Sequence, residues 1–265
     1  NDASMCSGTY FGCTDLLATN YNVAATCDDG SCIYLGDKID LFFSEYGEGS
    51  YNNKYLEIYN PSGNNVDLSN YALAWVVNSP TSIGVYENWA DFDSGAFIIA
   101  NDVYIVAHAS ADSIILAHAD MIVTGSTSLS NGDDGFALVY GEEPSTPVLP
   151  GNEYIILDFI GDFNGDPGVG WDVAGITNAT KDHTLVRKCF INQGNTNWNL
   201  SAGTTSQNSE WNVLPKDNWS NIGSNLPVYG CTDPLACNYD SLSLCDDGSC
   251  LTAYGCTDPT ACNYD

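Results

Sequence analysis

Apolar and polar residues alternate along much of the chain between Asp37 and Lys188. From Lys54 to Asn60, Tyr55, Glu57 and Tyr59 interleave with Leu56 and Ile58, which predicts a strand with one apolar face and one mixed aromatic and acidic face. Asn60-Pro-Ser-Gly-Asn-Asn65 then reads as a turn, with Gly and Asn free to take positive φ, and Val66-Asp-Leu-Ser-Asn-Tyr71 follows, so an antiparallel hairpin is expected. Further strands are predicted over 39–46, 71–77, 95–100, 103–108, 136–140, 154–160 and 184–188. Ser110 as N-cap ahead of apolar residues at helical spacing predicts a short helix to Asp120. Gly141 to Pro150 carries three prolines and is a loop that cannot lie inside a sheet. The polar stretch 192–225 holds Trp198, Trp211 and Trp219, so it is expected to fold back on the strands, with Trp211 to Leu214 as a last one.

Ser44-Glu-Tyr, Lys54-Tyr-Leu-Glu-Ile-Tyr-Asn with its proline turn, Val66-Asp-Leu-Ser-Asn-Tyr, Asn131-Gly-Asp-Asp-Gly-Phe-Ala-Leu-Val and Lys181-Asp-His-Thr-Leu-Val-Arg-Lys188 follow one another along the chain. Together they resemble the lamin-tail domain, an immunoglobulin-like β-sandwich. The resemblance implies a mainly β fold, a structural and binding module, and no catalytic residue.

Gly12 to Cys32 aligns without gaps with Gly230 to Cys250, sharing Gly-Cys-Thr-Asp at one end and Cys-Asp-Asp-Gly-Ser-Cys at the other; a third copy begins at Gly255 and stops halfway. The copies resemble a short cysteine-rich repeat of long secreted bacterial surface proteins, whose minimal form keeps the first and last of four cysteines. That form implies Cys13 with Cys32 and Cys231 with Cys250, leaving Cys237 with Cys245. In the first copy Thr19 replaces the second cysteine, and Cys6 is the nearest partner for Cys27. Cys256 and Cys262 are left to join each other or something beyond the chain's end. Cys189 is the odd one of eleven cysteines, either a buried thiol or a partner in an intermolecular or domain-to-repeat disulfide. The organisation expected is a repeat at 1–36, the sandwich with a C-terminal extension at 37–226, and small disulfide-stapled repeats at 227–253 and, in part, 254–265. With no initiating Met, the chain reads as processed or as a slice of something longer, one period of a tandem array; ragged ends are the plainer alternative.

Composition narrows the function. A formal net charge of −28, from 34 acidic residues against six Lys and Arg, disfavours nucleic acid and anionic membranes. No run is apolar enough for a membrane span, and the disulfide framework predicts a secreted, extracellular or cell-surface protein. The acidity reads as a solubility device or as divalent-cation binding. Asp28-Asp29 and Asp246-Asp247, with Asp15 or Asp233 nearby, are candidate calcium ligands, against the plainer reading of Asp-Gly turns. Asp162 to Asp166 imitates the start of an EF-hand loop but has Pro167 where Gly is needed and Val173 where Glu is needed. His108, His118 and His183 lack metal spacing, and no nucleophile, acid–base or phosphate-loop motif is present.

The chain is therefore expected to be a non-enzymatic structural protein, the building block of a surface filament or adhesin, self-assembling through sheet edges or through Tyr46, Tyr51, Tyr55 and Tyr59. The rival expectation is a module binding cell-surface glycans through exposed aromatics.

Overall fold

The computed structural model describes residues 10–15, 18, 21–29, 32, 38–125, 129, 131–151, 153–224, 229–241, 243, 245–251, 260 and 262. The protein is mainly β. In chain order the strands are β1 (Phe42–Glu48), β2 (Lys54–Tyr59), β3 (Val66–Asp67), β4 (Tyr71–Val76), β5 (Asn88–Asp91), β6 (Phe97–Ile98), β7 (Val103–His108), β8 (Met121–Val123), β9 (Gly135–Gly141), β10 (Tyr154–Ile160), β11 (His183–Arg187), β12 (Trp211–Pro215), β13 (Tyr229–Gly230) and β14 (Cys245–Asp246). Two short helices, α1 (Ser113–Leu116) and α2 (Trp198–Ala202), complete the elements. No helix among the described residues is long and apolar enough to cross a membrane.

A six-stranded sheet runs in the order β12-β11-β1-β2-β7-β8 and a four-stranded one in the order β10-β9-β4-β5; β3 pairs with β6 and β13 with β14. The large sheets share one core. Leu56, Ile58, Val106 and Leu185 from the first meet Leu73, Phe136, Leu138 and Ile160 from the second. The period-two pattern of β2 thus has the expected consequence, with Leu56 and Ile58 turned inward.

The expected 54–71 hairpin does not form. β2 pairs with β1 and β7, and β3 crosses to β6. Asn60, fully buried, is the cause: its Nδ2 donates to the carbonyls of Asn64, Ile98 and Ile99 at 2.8, 3.2 and 3.1 Å, while its Oδ1 accepts from Ser62 N at 2.9 Å. These bonds pin the turn to the β6 side and carry the chain out of the first sheet. The real hairpin joins β1 to β2 around Tyr51, which takes φ 60°.

The helix expected over 110–120 shrinks to one turn, because Asp112 rather than Ser110 caps it, accepting from Ile114 N at 2.9 Å. The strand expected over 95–100 is only Phe97–Ile98, and β5, β8 and α2 were not anticipated. Trp211 does lead a last strand, β12, in register with β11.

Candidate functional site: a buried acidic pair and a cross-linked junction

The outer face of the six-stranded sheet was expected to be a mixed surface in solvent. It is covered. β1 carries a bulge between Phe43 and Glu45, so Ser44 and Glu45 both approach Glu57 of β2, and Glu45 and Glu57 are direct cross-strand neighbours. Residues 217–224 lie over them as a strap. Glu45 accepts from the Tyr55 hydroxyl and, at 2.9 Å, from Asn221 Nδ2. Glu57 accepts from Ser44 Oγ at 2.7 Å and from Gly223 N at 2.8 Å. Trp219 meets the Tyr55 ring edge-on at 5.9 Å, and Ile222 joins Tyr55, Ile105, Ala107, Ala111 and Ile115 in a second apolar cluster. The strap begins where Asp217 accepts from Ser50 N at 2.7 Å and Ser50 Oγ at 2.6 Å. Both glutamates are 0% exposed, and none of the ion pairs among the described residues involves either.

Burial without a counter-ion favours the protonated form. It raises Glu45 to about 7 despite the bonds from Tyr55 and Asn221. Burial raises Glu57 to about 8, and the neighbouring charge of Glu45 adds to it. Below the ordinary glutamate value of 4.5 the folded and unfolded chains are both protonated here and nothing is lost. As pH climbs towards 7 and 8 the unfolded chain ionises first, so folding stability falls. Urea unfolding should show this as a loss of roughly 2 kcal/mol per pH unit between pH 5 and 7, about halved in E57Q. A wild-type stability that stays level or rises across that range would refute the assignment.

A second buried charge cluster ties the two sheets together. β10 has a bulge between Ile156 and Asp158, and Asp158, fully buried, faces Arg187 of β11 with Nη2–Oδ1 at 3.0 Å. Asp158 also accepts from Phe43 N at 2.9 Å and Asn195 N at 2.8 Å. Burial raises its carboxyl, and Arg187 with the two backbone donors works against that rise. Arg187 reaches Glu210 at 3.3 Å and Ser201 Oγ at 3.4 Å, with its guanidinium 4.4 Å over the Trp211 ring.

Two residues beyond β11, Cys189 is disulfide-bonded to Cys245 of the C-terminal repeat. This corrects one expectation, since Cys245 is not joined to Cys237, and of the two readings of Cys189 it is the domain-to-repeat disulfide and not the buried thiol that the structure has. The fold of the repeat gives the reason. Tyr229 pairs in parallel with Cys245, which is buried and turned towards β11, while Cys237 is exposed. Cys13–Cys32 and Cys231–Cys250 are bonded as expected, with Cα atoms 4.7 Å apart in both. The first copy repeats the local structure, with Phe11 bridged in parallel to Cys27 at the positions matching Tyr229 and Cys245. Cys27 is disulfide-bonded; Cys6, its expected partner, and Cys256 lie outside the described residues. Cys262 carries an exposed thiol.

Between strap, sheet and repeat lies a cleft of about 180 Å³, lined among others by Ser44, Glu57, Tyr59, Asn221, Cys189 and Cys245. The junction therefore places Glu57 of the acidic pair on the same cleft as the cross-link.

Other candidates are dispersed. Tyr46 is in the core, donating to Thr180 O at 3.0 Å, and Tyr55 is under the strap, so neither belongs to an exposed aromatic patch. Tyr59 is half-buried against Phe42, and only Tyr51, 95% exposed, stands free at the hairpin tip. Strand alternation explains the scatter, since Tyr46 faces inward and Tyr55 outward. Asp246 and Asp247 accept from Gly248 N at 3.0 Å and Ser249 N at 2.8 Å, the bonds of Asx turns. In the first copy Asp28 holds the place of Asp246, its Oδ1 3.8 Å from Cys32 Sγ against 3.7 Å for Asp246 and Cys250, and Asp29 is exposed. Among the described residues no three His, Cys, Asp or Glu side chains gather as metal ligands.

The buried pair and the Arg187 cluster were missed in the sequence. The available signals were the alternation of Glu57 with core residues and a tryptophan at 219 in an otherwise polar run.

The chain matches no family model, and no curated protein matches it in sequence.

Proposed function

We propose that the protein is a non-enzymatic extracellular structural unit, a building block of a long surface filament, in which a lamin-tail-like, immunoglobulin-like sandwich is held between disulfide-stapled repeats. The observation that carries this reading is the Cys189–Cys245 bond. It joins the C-terminal repeat to the residues just after β11, an interior strand between β12 and β1, so the repeat is a fixed extension of the sheet and not a freely swinging tail. Three disulfides among the described residues fit an oxidising, secreted setting. The buried Tyr46 and Tyr55 direct assembly away from the β1–β2 aromatics and towards the repeats at the two ends. The acidic exterior keeps neighbouring units from clumping sideways. Tyr10, Phe97 and Phe190 are exposed but come from separate parts of the chain.

Electron microscopy of the protein extracted from its native source without reductant tests the proposal. Filaments with an axial repeat matching one unit are expected, and dithiothreitol should make them shorten or fall apart. Dispersed single particles at every concentration would overturn it.

A further inference from the structure

The strap over the acidic pair has the construction of a moving part. Its contacts with the sheet are local: Asn221 Nδ2 on Glu45, Gly223 N on Glu57, Trp219 on the Tyr55 ring, and Ile222 in the apolar cluster with Ile105 and Ala107. Both of its ends are held, by Asp217 on Ser50 before it and by the repeat fixed through Cys189–Cys245 after it. A segment held at both ends can lift and return without releasing either neighbour.

The groups packed around the pair supply little to balance two negative charges. β1 offers the Ser44 hydroxyl, and β2 offers Tyr55, whose own bond goes to Glu45. β11 contributes Thr184, and β7 presents Ile105, while Asp102 just ahead of β7 adds further negative charge near Glu57. Arg187 and Lys188 border the cleft, but Arg187 is paired with Asp158 and Glu210, and Lys188 Nζ is turned away to the carbonyls of Ser206 and Ser209. From the segment after α1, His118 packs against Gly223, where an added Cβ would come within 2.6 Å of its Nδ1. Inside the strap, Asp217 is already bound to Ser50.

We infer that residues 217–224 form a pH-operated latch, closed while the Glu45–Glu57 pair retains a proton and released when both carboxylates are ionised. With one proton present, the pair carries a single charge shared between cross-strand neighbours, and four donors are enough to hold it. With none, two adjacent carboxylates face each other beneath an apolar cover, and lifting the strap is the shortest route to water. Release bares the floor of the junction cleft, including Glu57 and Ser44. The raised affinity of both groups for protons in the closed state sets the direction, so release increases with pH and levels off once the closed pair is itself ionised. This device does not depend on filament assembly.

Hydrogen–deuterium exchange on the intact oxidised protein, expressed as protection factors from pH 5 to pH 9, reads the latch directly. Protection of the Ile222, Gly223 and Ser224 amides should fall by roughly fiftyfold per pH unit between pH 5 and 7, the signature of nearly two protons lost on release, and flatten above pH 8, while β2 and β7 amides stay protected. The double variant E45Q/E57Q should keep the strap protected at every pH, and H118Q should leave the wild-type response unchanged. Three results overturn the inference: strap protection independent of pH in the wild type, loss of β2 protection in step with the strap, or an undiminished response in E45Q/E57Q. Should that variant not fold, E57Q alone serves, and a response equal to wild type in E57Q also overturns it.

Discussion

Replacing Arg187 with leucine should lower the stability of the protein by about 3–5 kcal/mol, because it leaves the Asp158 carboxylate buried without its partner. Asp158 has no route to solvent, and its remaining bonds, from Phe43 N and Asn195 N, were placed to complement a charge that Arg187 balances. The guanidinium also fills the space over Trp211, so the substitution loosens the packing of β12. The double variant R187L/D158L should regain much of the loss, since an apolar pair of similar volume removes the stranded charge. Urea unfolding of the two variants checks both statements. A loss below 1 kcal/mol in R187L would mean that the cluster is not a connection between the sheets.

The second large effect belongs to the cross-link. Cys189 and Cys245 are separated by 56 residues, and closing a loop of that size restrains the unfolded chain by about 4 kcal/mol on the chain-entropy account. The C189S/C245S variant should therefore melt at lower temperature by that measure while leaving Cys13–Cys32 and Cys231–Cys250 intact. Peptide mapping without reductant of the wild type provides the complementary observation. A fragment joining Cys245 to Cys237 in place of Cys189 would contradict the junction described above.

Much of the sheet framework was legible because β-strand alternation is a local property. Leu56 and Ile58 could be assigned to a core from six consecutive residues, and the paired outer cysteines from the repeat. Three features were not legible, each for a physical reason. Asn60 diverts the chain from β2 towards β6 through bonds to residues about forty positions away, so its turn looks like any hairpin turn in sequence. The bulges at Ser44 and Leu157 each add one residue to a strand and redirect Glu45 and Asp158, a change that period-two counting cannot register. The strap has no periodicity at all. Trp219 and Ile222 are its two anchoring apolar side chains, and only the sheet beneath them gives those positions meaning. The aromatic surface expected at Tyr46 and Tyr55 failed for the same reason, since alternation says that two residues face opposite sides but not that both sides are covered.

The disulfide between Cys189 and Cys245 also changes how the molecule would stretch. Tension entering through the C-terminal repeat crosses from Cys245 straight to Cys189 and into β11, so the chain between them carries none of it. That bypassed length includes α2, β12 and the strap, the parts that cover the Arg187 cluster and the acidic pair. Because Cys231–Cys250 still closes the repeat itself, breaking this one sulfur–sulfur bond frees the stretch from Cys189 to Cys231, about 140 Å at about 3.4 Å per extended residue. Reduction would convert a stiff unit into an extensible one without cutting the backbone.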